Sequence, residues 1–389
     1  MKSAFITLII IAITATFCRA QQTRQTDDAL LLEYYQSQRY AEALTYLKST
    51  YAEPVADSKE LSRLAYSANM ARLLPEAEGY YQRIYDKDSS NVSVLFNLAN
   101  INQRRGNNPK AEVYFKKLVA LDTLNFNGHN RLGQINKIKG EFKIAAYYFE
   151  KANKVNPADA DVATDLSDVY IALNEPLKAD KVLNVAIEAD PENITLQQAL
   201  LRLNYIESKW KQTVKTGEQL LLLGDSTTST LSKLGIGYFY AKNYNCGIAM
   251  LQAIPETDQS ELSAYYIAAC YKLLKDPKKA ITYFKKAIKL STSQGTATYF
   301  NEVADSYETL GLFTKAKENY QKGLLYEEKP LTYYYLAAMH DTKLKDKKTA
   351  LKYYKKYIAA DTDEKEKKYK DYSTARVAEL NKKTVLTIH

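Results

Sequence analysis

Ten small or short side chains recur along the chain at nearly constant spacing: Ala43, Ala77, Ala111, Ala145, Ala179, Thr213, Gly247, Ala280, Ala316 and Ala350. The separation is 34 residues throughout, except for one step of 33 and one of 36. A period held over so many units leaves few folds open, because each unit must be one supersecondary element that buries its apolar face against its neighbours. With the small residue placed twentieth in a 34-residue unit, other places fall into line. The eighth reads Ala65, Ala99, Gly133, Ser167, Leu201, Gly235, Ala268, Ala304 and Ala337 from the second unit on, and the seventh is always Leu, Ile or Val. A large knob beside a small hole is what two closely packed helices need where they cross. Places 8 and 20 are therefore read as the crossing of a first and a second helix.

Prolines and glycines mark the same boundaries. Pro75, Pro109, Pro176 and Pro277 fall at place 17 or 18, the first turn of the second helix, where a missing N–H costs nothing. Gly106, Gly140 and Gly311 precede them at place 15, and Pro157 and Pro191 follow the second helix. The unit resembles the tetratricopeptide repeat, and residues 127–157 carry that pattern most fully, with Leu132, Gly133, Gly140, Phe142, Ala145, Phe149, Ala152 and Pro157. The resemblance implies an all-α protein, a right-handed α-solenoid of about ten stacked helix-turn-helix repeats with a C-terminal capping helix. The repeats are expected at about 24–57, 58–91, 92–125, 126–159, 160–193, 194–227, 228–260, 261–296, 297–329 and 330–363, with a basic cap and tail at 364–389. The sixth unit departs most, having Leu201, Thr213 and Gly217 where two small residues and an aromatic are expected.

Residues 1–20 stand outside this period. Lys2 precedes an apolar run over 4–15, too short to span a bilayer, and Cys18 and Ala20 are small residues three and one places before Gln21. Cleavage after Ala20 and export to the periplasm, with or without association with the outer membrane, are expected. A lipidated Cys18 is the rival reading, which the bulky Phe17 disfavours. Loss of Lys2 and Arg19 lowers the formal charge from +9 to +7, of which residues 333–389 hold +6 with thirteen Lys and one Arg against eight acids. Nucleic acid is not an expected partner of an exported chain whose body is nearly neutral.

The 33 Tyr, 11 Phe and single Trp look like a ligand signal until they are placed. Tyr170, Tyr238, Tyr271 and Tyr307 occupy place 11. Tyr40, Phe142, Trp210, Tyr244 and Phe313 occupy place 17, and Tyr81, Phe115, Phe149, Phe284, Tyr320 and Tyr354 place 24. These are framework, with hydroxyls reaching the surface. Phe239, Tyr240, Tyr265, Tyr266, Tyr333, Tyr334 and Tyr335 lie outside that pattern and remain candidates for ligand contact.

No catalytic pattern emerges. His129, His340 and His389 have no second metal ligand at helical spacing, Gly235 and Gly237 lack a third glycine, and no nucleophile elbow, phosphate loop or HExxH is found. Neither an enzyme nor a cofactor, metal or small-molecule substrate is expected. Cys246 and Cys270 leave a disulfide open, since its formation depends on Cα atoms within about 7 Å.

In the first helix, places 4, 7, 8 and 11 face the second helix, so places 2, 5, 9 and 12 form the adjacent stripe. By resemblance this stripe lines a groove for extended peptides. The third and fourth repeats supply Asn97, Asn100, Gln103, Arg104, Asn127, Asn130, Arg131, Gln134 and Lys137 on or beside it. Amides both donate to and accept from a peptide backbone, and Arg forks onto carboxylates. The fifth repeat turns acidic with Asp161, Asp165 and Asp168. A protein-interaction scaffold of the bacterial envelope is expected, with Asn97, Asn100, Arg104, Asn127, Asn130, Arg131, Gln134 and Lys137 as its contact residues. Two alternatives stand beside it: an adaptor meeting anionic envelope polymer or membrane through the basic end, and an accessory subunit of an envelope assembly or secretion complex.

Overall fold

The computed structural model describes residues 26–291, 295–360 and 363–385, with side chains as far as 382. The expected signal segment, Cys18 and His389 lie outside the described residues. Within them the chain is helical throughout, without strands, and divides into two compact units, Met1–Pro191 and Glu192–His389.

The first unit holds α1 (Asp28–Gln36), α2 (Tyr40–Thr50), α3 (Ser58–Met70), α4 (Leu74–Lys87), α5 (Val92–Arg104), α6 (Asn108–Leu121), α7 (Phe126–Ile138), α8 (Phe142–Val155), α9 (Ala160–Ala172) and α10 (Pro176–Ala189). Each odd-numbered helix packs on the even-numbered helix after it, and from α2 to α9 each even-numbered helix packs on the next odd one. The first helices begin at side-chain caps. Asp27, Asp57, Asn91, Asn125 and Asp159 each accept a backbone N–H of the first turn, and from Asp57 on they too are spaced by 34 residues.

The turns between first and second helix share one conformation. Gln38, Arg72, Gly106, Gly140 and Asn174 all have positive φ, between 56° and 77°. That left-handed residue lets the chain reverse while the last carbonyls of the first helix stay bonded: Leu73 N–H reaches Ala68 O at 2.9 Å and Arg72 N–H reaches Asn69 O at 3.1 Å. Proline then opens α4, α6 and α10 in their first two positions. At the helix crossing, a β-carbon on Gly133 would lie 2.6 Å from the Phe149 ring, so this pair of helices closes only around glycine.

The second unit holds α11 (Ile194–Ile206), α12 (Trp210–Leu222), α13 (Thr228–Tyr240), α14 (Tyr244–Gln252), α15 (Glu261–Leu273), α16 (Pro277–Leu290), α17 (Thr296–Thr309), α18 (Phe313–Tyr326), α19 (Pro330–Thr342), α20 (Lys347–Ala359) and the terminal α21 (Lys367–Val385), packed in the same alternation. Ser208, Lys242, Lys275, Gly311 and Lys345 take the positive-φ place. The irregular α11–α12 pair is compensated from the next repeat. Gly217 leaves room where an aromatic was expected, and Leu234 of α13 fills it; a β-carbon on Gly217 would stand 2.9 Å from its Cδ1. Leu201 and Thr213 are fully buried in the same packing. Helix α21 packs on α20 and is pinned by Arg376, whose guanidinium forks onto Asp341 at 2.6 and 2.8 Å.

Candidate functional site

The stripe expected on the first helices of the third to fifth repeats contains a pocket. Gln103 from α5, Gln134, Lys137 and Ile138 from α7 and Asp165 from α9 line a cavity of about 470 Å³. Three successive first helices meet there because the short left-handed turns return every second helix to the same side, leaving the first helices as neighbours. Ile138 is 75% exposed, an apolar side chain among amides and charges, and apolar periodicity alone gave no reason to single it out. The pocket offers a hydrogen-bonding wall of two amides, an ion pair and one aliphatic contact.

Lys137, expected as a contact residue, is already paired within the protein. Its ammonium donates to Asp165 Oδ1 and Asp168 Oδ2, both at 2.9 Å. Burial alone would lower the lysine's pKa, but the hydrogen bonds to Asp168 and Asp165 outweigh it and raise the pKa above its ordinary value. One cation of the fourth repeat and two acids of the fifth therefore pair across the junction between them. Lys272 of α15 repeats the arrangement in the second unit, bonded to Glu302 at 2.6 Å and Asp305 at 2.7 Å on α17. In both cases a place-12 lysine spans acids at places 6 and 9 of the next repeat.

The remaining predicted residues divide by what already holds them. Arg104 is exposed and donates back to Asn69 at 2.8 Å, tying α5 to α3. Asn97 donates to Ser93 O within its own helix at 2.9 Å. Arg131, exposed, donates to Gln134 Oε1 at 3.0 Å, so those two present one joint surface. Asn127 is exposed and Asn100 half-buried, while Asn130 keeps its Oδ1 buried with no hydrogen-bond partner among the described residues. Gln134 and Lys137 are the two predicted residues that line the pocket.

Much of what joins one repeat to the next was missed. Place 25 of the second helix acts as a polar hub for the following repeat. Glu150 accepts from the Tyr170 hydroxyl at 2.8 Å and Glu218 from Tyr238 at 2.5 Å, while Lys285 donates to Tyr307 at 3.0 Å. Tyrosines at place 23 use the same hub: Tyr114 donates to Gln82 at 2.9 Å and Gln252 donates to Tyr283 at 2.6 Å. Pairing place 25 with tyrosines one repeat later was a signal available in the sequence. Acids at place 21 act similarly, Glu78 joining Lys110 and Arg105, and Glu112 joining Lys116 and Lys139.

The off-framework aromatics of the second unit are largely packed on one another. Trp210 stacks on Tyr240 at 4.1 Å, and the Tyr240 and Tyr266 hydroxyls are 3.0 Å apart. Phe239, Tyr265 and Tyr266 are half-buried in that cluster, leaving Tyr240 as its exposed member. Cys246 and Cys270 are both free thiols, and burial raises Cys270 to about 12.

Chained helix pairs with one turn geometry and a side-chain stripe on the first helices define a helical-repeat protein with a lateral interaction surface. Family models for the tetratricopeptide repeat match residues 139–203 and 263–294, and the chain carries tetratricopeptide repeats there. It is accordingly a protein-interaction scaffold. Solved structures similar to it include the C-terminal part of a tetratricopeptide repeat protein from Cytophaga hutchinsonii, at 18% identity over 70% of this chain and 98% of that one, with a TM-score of 0.47. A tetratricopeptide repeat protein from Parabacteroides merdae is similar at 14% identity, over 67% and 98% of the two chains, with a TM-score of 0.45. YrrB, described as having an unusual peptide-binding site, is similar at 16% identity, over 53% and 97%, with a TM-score of 0.41. No curated protein matches the sequence.

Proposed function

We propose that the chain is an exported, noncatalytic adaptor of the bacterial envelope that holds an extended segment of a partner protein along the first-helix stripe of its first unit. The pocket of about 470 Å³ among Gln103, Gln134, Lys137, Ile138 and Asp165 carries this reading. Its amides suit a peptide backbone, Ile138 suits an apolar side chain, and Asn100, Asn127, Asn130 and Arg131 extend the polar surface on either side. The signal-like residues 1–20 support export, and no helix among the described residues is long and apolar enough to cross a membrane.

The competing surface is the basic end, where Lys352, Lys355 and Lys356 are exposed on α20. Salt separates the two. A partner captured by the wild-type chain should bind with nearly the same affinity at low and high ionic strength, and should tolerate Gln at Lys352, Lys355 and Lys356. Binding that collapses with salt and with those substitutions would place the function at the basic end.

A further inference from the structure

A second cavity, of about 300 Å³, draws on the second helices instead of the stripe. It is lined by Lys116, Val119 and Ala120 of α6, Thr123, His129 near the start of α7, and Tyr147, Tyr148 and Lys151 of α8. Its volume lies at the lower end of the range that holds small organic ligands. One wall is aromatic. Tyr147 and Tyr148 meet edge to face with centroids 5.2 Å apart, and the His129 ring lies 6.1 Å from Tyr148. The His129 ring is fixed by a hydrogen bond between Nε2 and the Thr123 carbonyl at 3.0 Å. Tyr147 is 53% exposed, so part of its ring is open at the pocket's edge.

The lysines around this wall are unequally held. Glu112 is shared between Lys116, at 2.8 Å, and Lys139. Lys151 makes no ion pair among the described residues; its ammonium rests 5.5 Å from the Tyr147 ring centroid. Glu141 acts on Lys116 as well, so Lys116 is held by carboxylates while Lys151 is not. Glu150 of α8, a carboxylate that accepts from the Tyr170 hydroxyl, forms no ion pair with Lys151 among the described residues. Lys151, without a carboxylate partner, stands beside the ring wall and Val119 and Ala120, a pairing that suits an anion attached to a flat apolar body.

We propose that this pocket binds a small aromatic carboxylate, its ring against Tyr147 and Tyr148 and its carboxylate between Lys151 and Lys116. The same chemistry is offered by a free aromatic acid and by a chain that ends in Phe or Tyr. The full chain is titrated by calorimetry with 3-phenylpropionate and with a tripeptide ending in a free Phe carboxylate, beside 3-phenylpropionamide and propionate. At least one of the two acids should saturate, about tenfold tighter than the amide or propionate, since the pocket needs both charge and ring. Saturation by 3-phenylpropionate alone assigns a free acid, and saturation by the tripeptide assigns a chain terminus. Lys151→Ala and Tyr147→Ala should each weaken binding about fivefold or more with the melting temperature unchanged, because both side chains are exposed. Failure of both acids to saturate by about 10 mM, or unaltered binding in folded Lys151→Ala, would overturn the assignment.

Discussion

At Gly133 the absent side chain is what brings α7 and α8 into contact, since the Phe149 ring occupies the space a β-carbon would take. Gly133→Leu should cost on the order of 1–3 kcal/mol through overpacking, seen as lost amide protection over residues 110–175; unchanged exchange there would count against this packing. The left-handed turn residue is a second single-residue device. Glycine fills it at Gly106, Gly140 and Gly311, whereas Lys242 and Lys275 hold φ of 63° and 61° against their own β-carbons. Lys242→Gly and Lys275→Gly should therefore each stabilise the protein by about 0.5–1 kcal/mol, the relief of strain exceeding the added freedom of the unfolded chain. A lower urea midpoint in both variants would contradict this. The glycines disclosed the turn in the sequence, but seven of the ten turns carry other residues at this place, and there only the 34-residue register pointed to it.

Between elements, the junctions are polar as well as apolar, and this was the less legible part of the sequence. Knob and hole places are fixed by volume, so Leu132, Gly133 and Phe149 could be read directly. A hydrogen bond from one repeat to the next needs the relative rotation of two helices, which spacing within one repeat does not contain. So the pairing of Lys137, a place-12 cation by position, with Asp165 and Asp168 of the next repeat is not visible in the spacing. Glu78 and Glu112 make a test of such junctions. Burial acts to raise both pKa values, but hydrogen bonds and the neighbouring lysines and arginine prevail and place them below the ordinary 4.5. Their contribution is complete above about pH 4.5 and is lost as pH falls through the lowered values. Glu78→Gln and Glu112→Gln should thus flatten the acid-side decline of the melting temperature, and a decline as steep as the wild type's would refute the sign. At the cap, Asp341 is almost fully buried against Arg376. Arg376→Ala should cost about 3–5 kcal/mol by stranding that carboxylate, releasing protection across α21 first; intact protection there would show that the cap is held otherwise.

For the whole molecule, nearest-neighbour packing means that a local change should stay local, so a surface substitution in the first unit can be read as an effect on binding without a change of fold. The pocket on the stripe was partly legible. Gln134 and Lys137 do line a pocket, while Ile138 and Asp165 entered it only through the packing of α7 on α9. Asn100 and Arg131 remain the sharpest test of the stripe, since Asn100 is half-buried on α5 and Arg131 is exposed beside the pocket residue Gln134. The decisive measurement is calorimetric titration of a partner captured by the wild-type chain into wild type and into the Asn100→Ala, Arg131→Ala double variant. Loss of an amide contact and a charge-assisted one should weaken binding by about 2–4 kcal/mol, 30-fold or more, with helical content and melting temperature nearly unchanged. A folded double variant that binds with wild-type affinity would contradict the account and move the site off the first unit's stripe, to the aromatic cluster around Tyr240 or to the basic end.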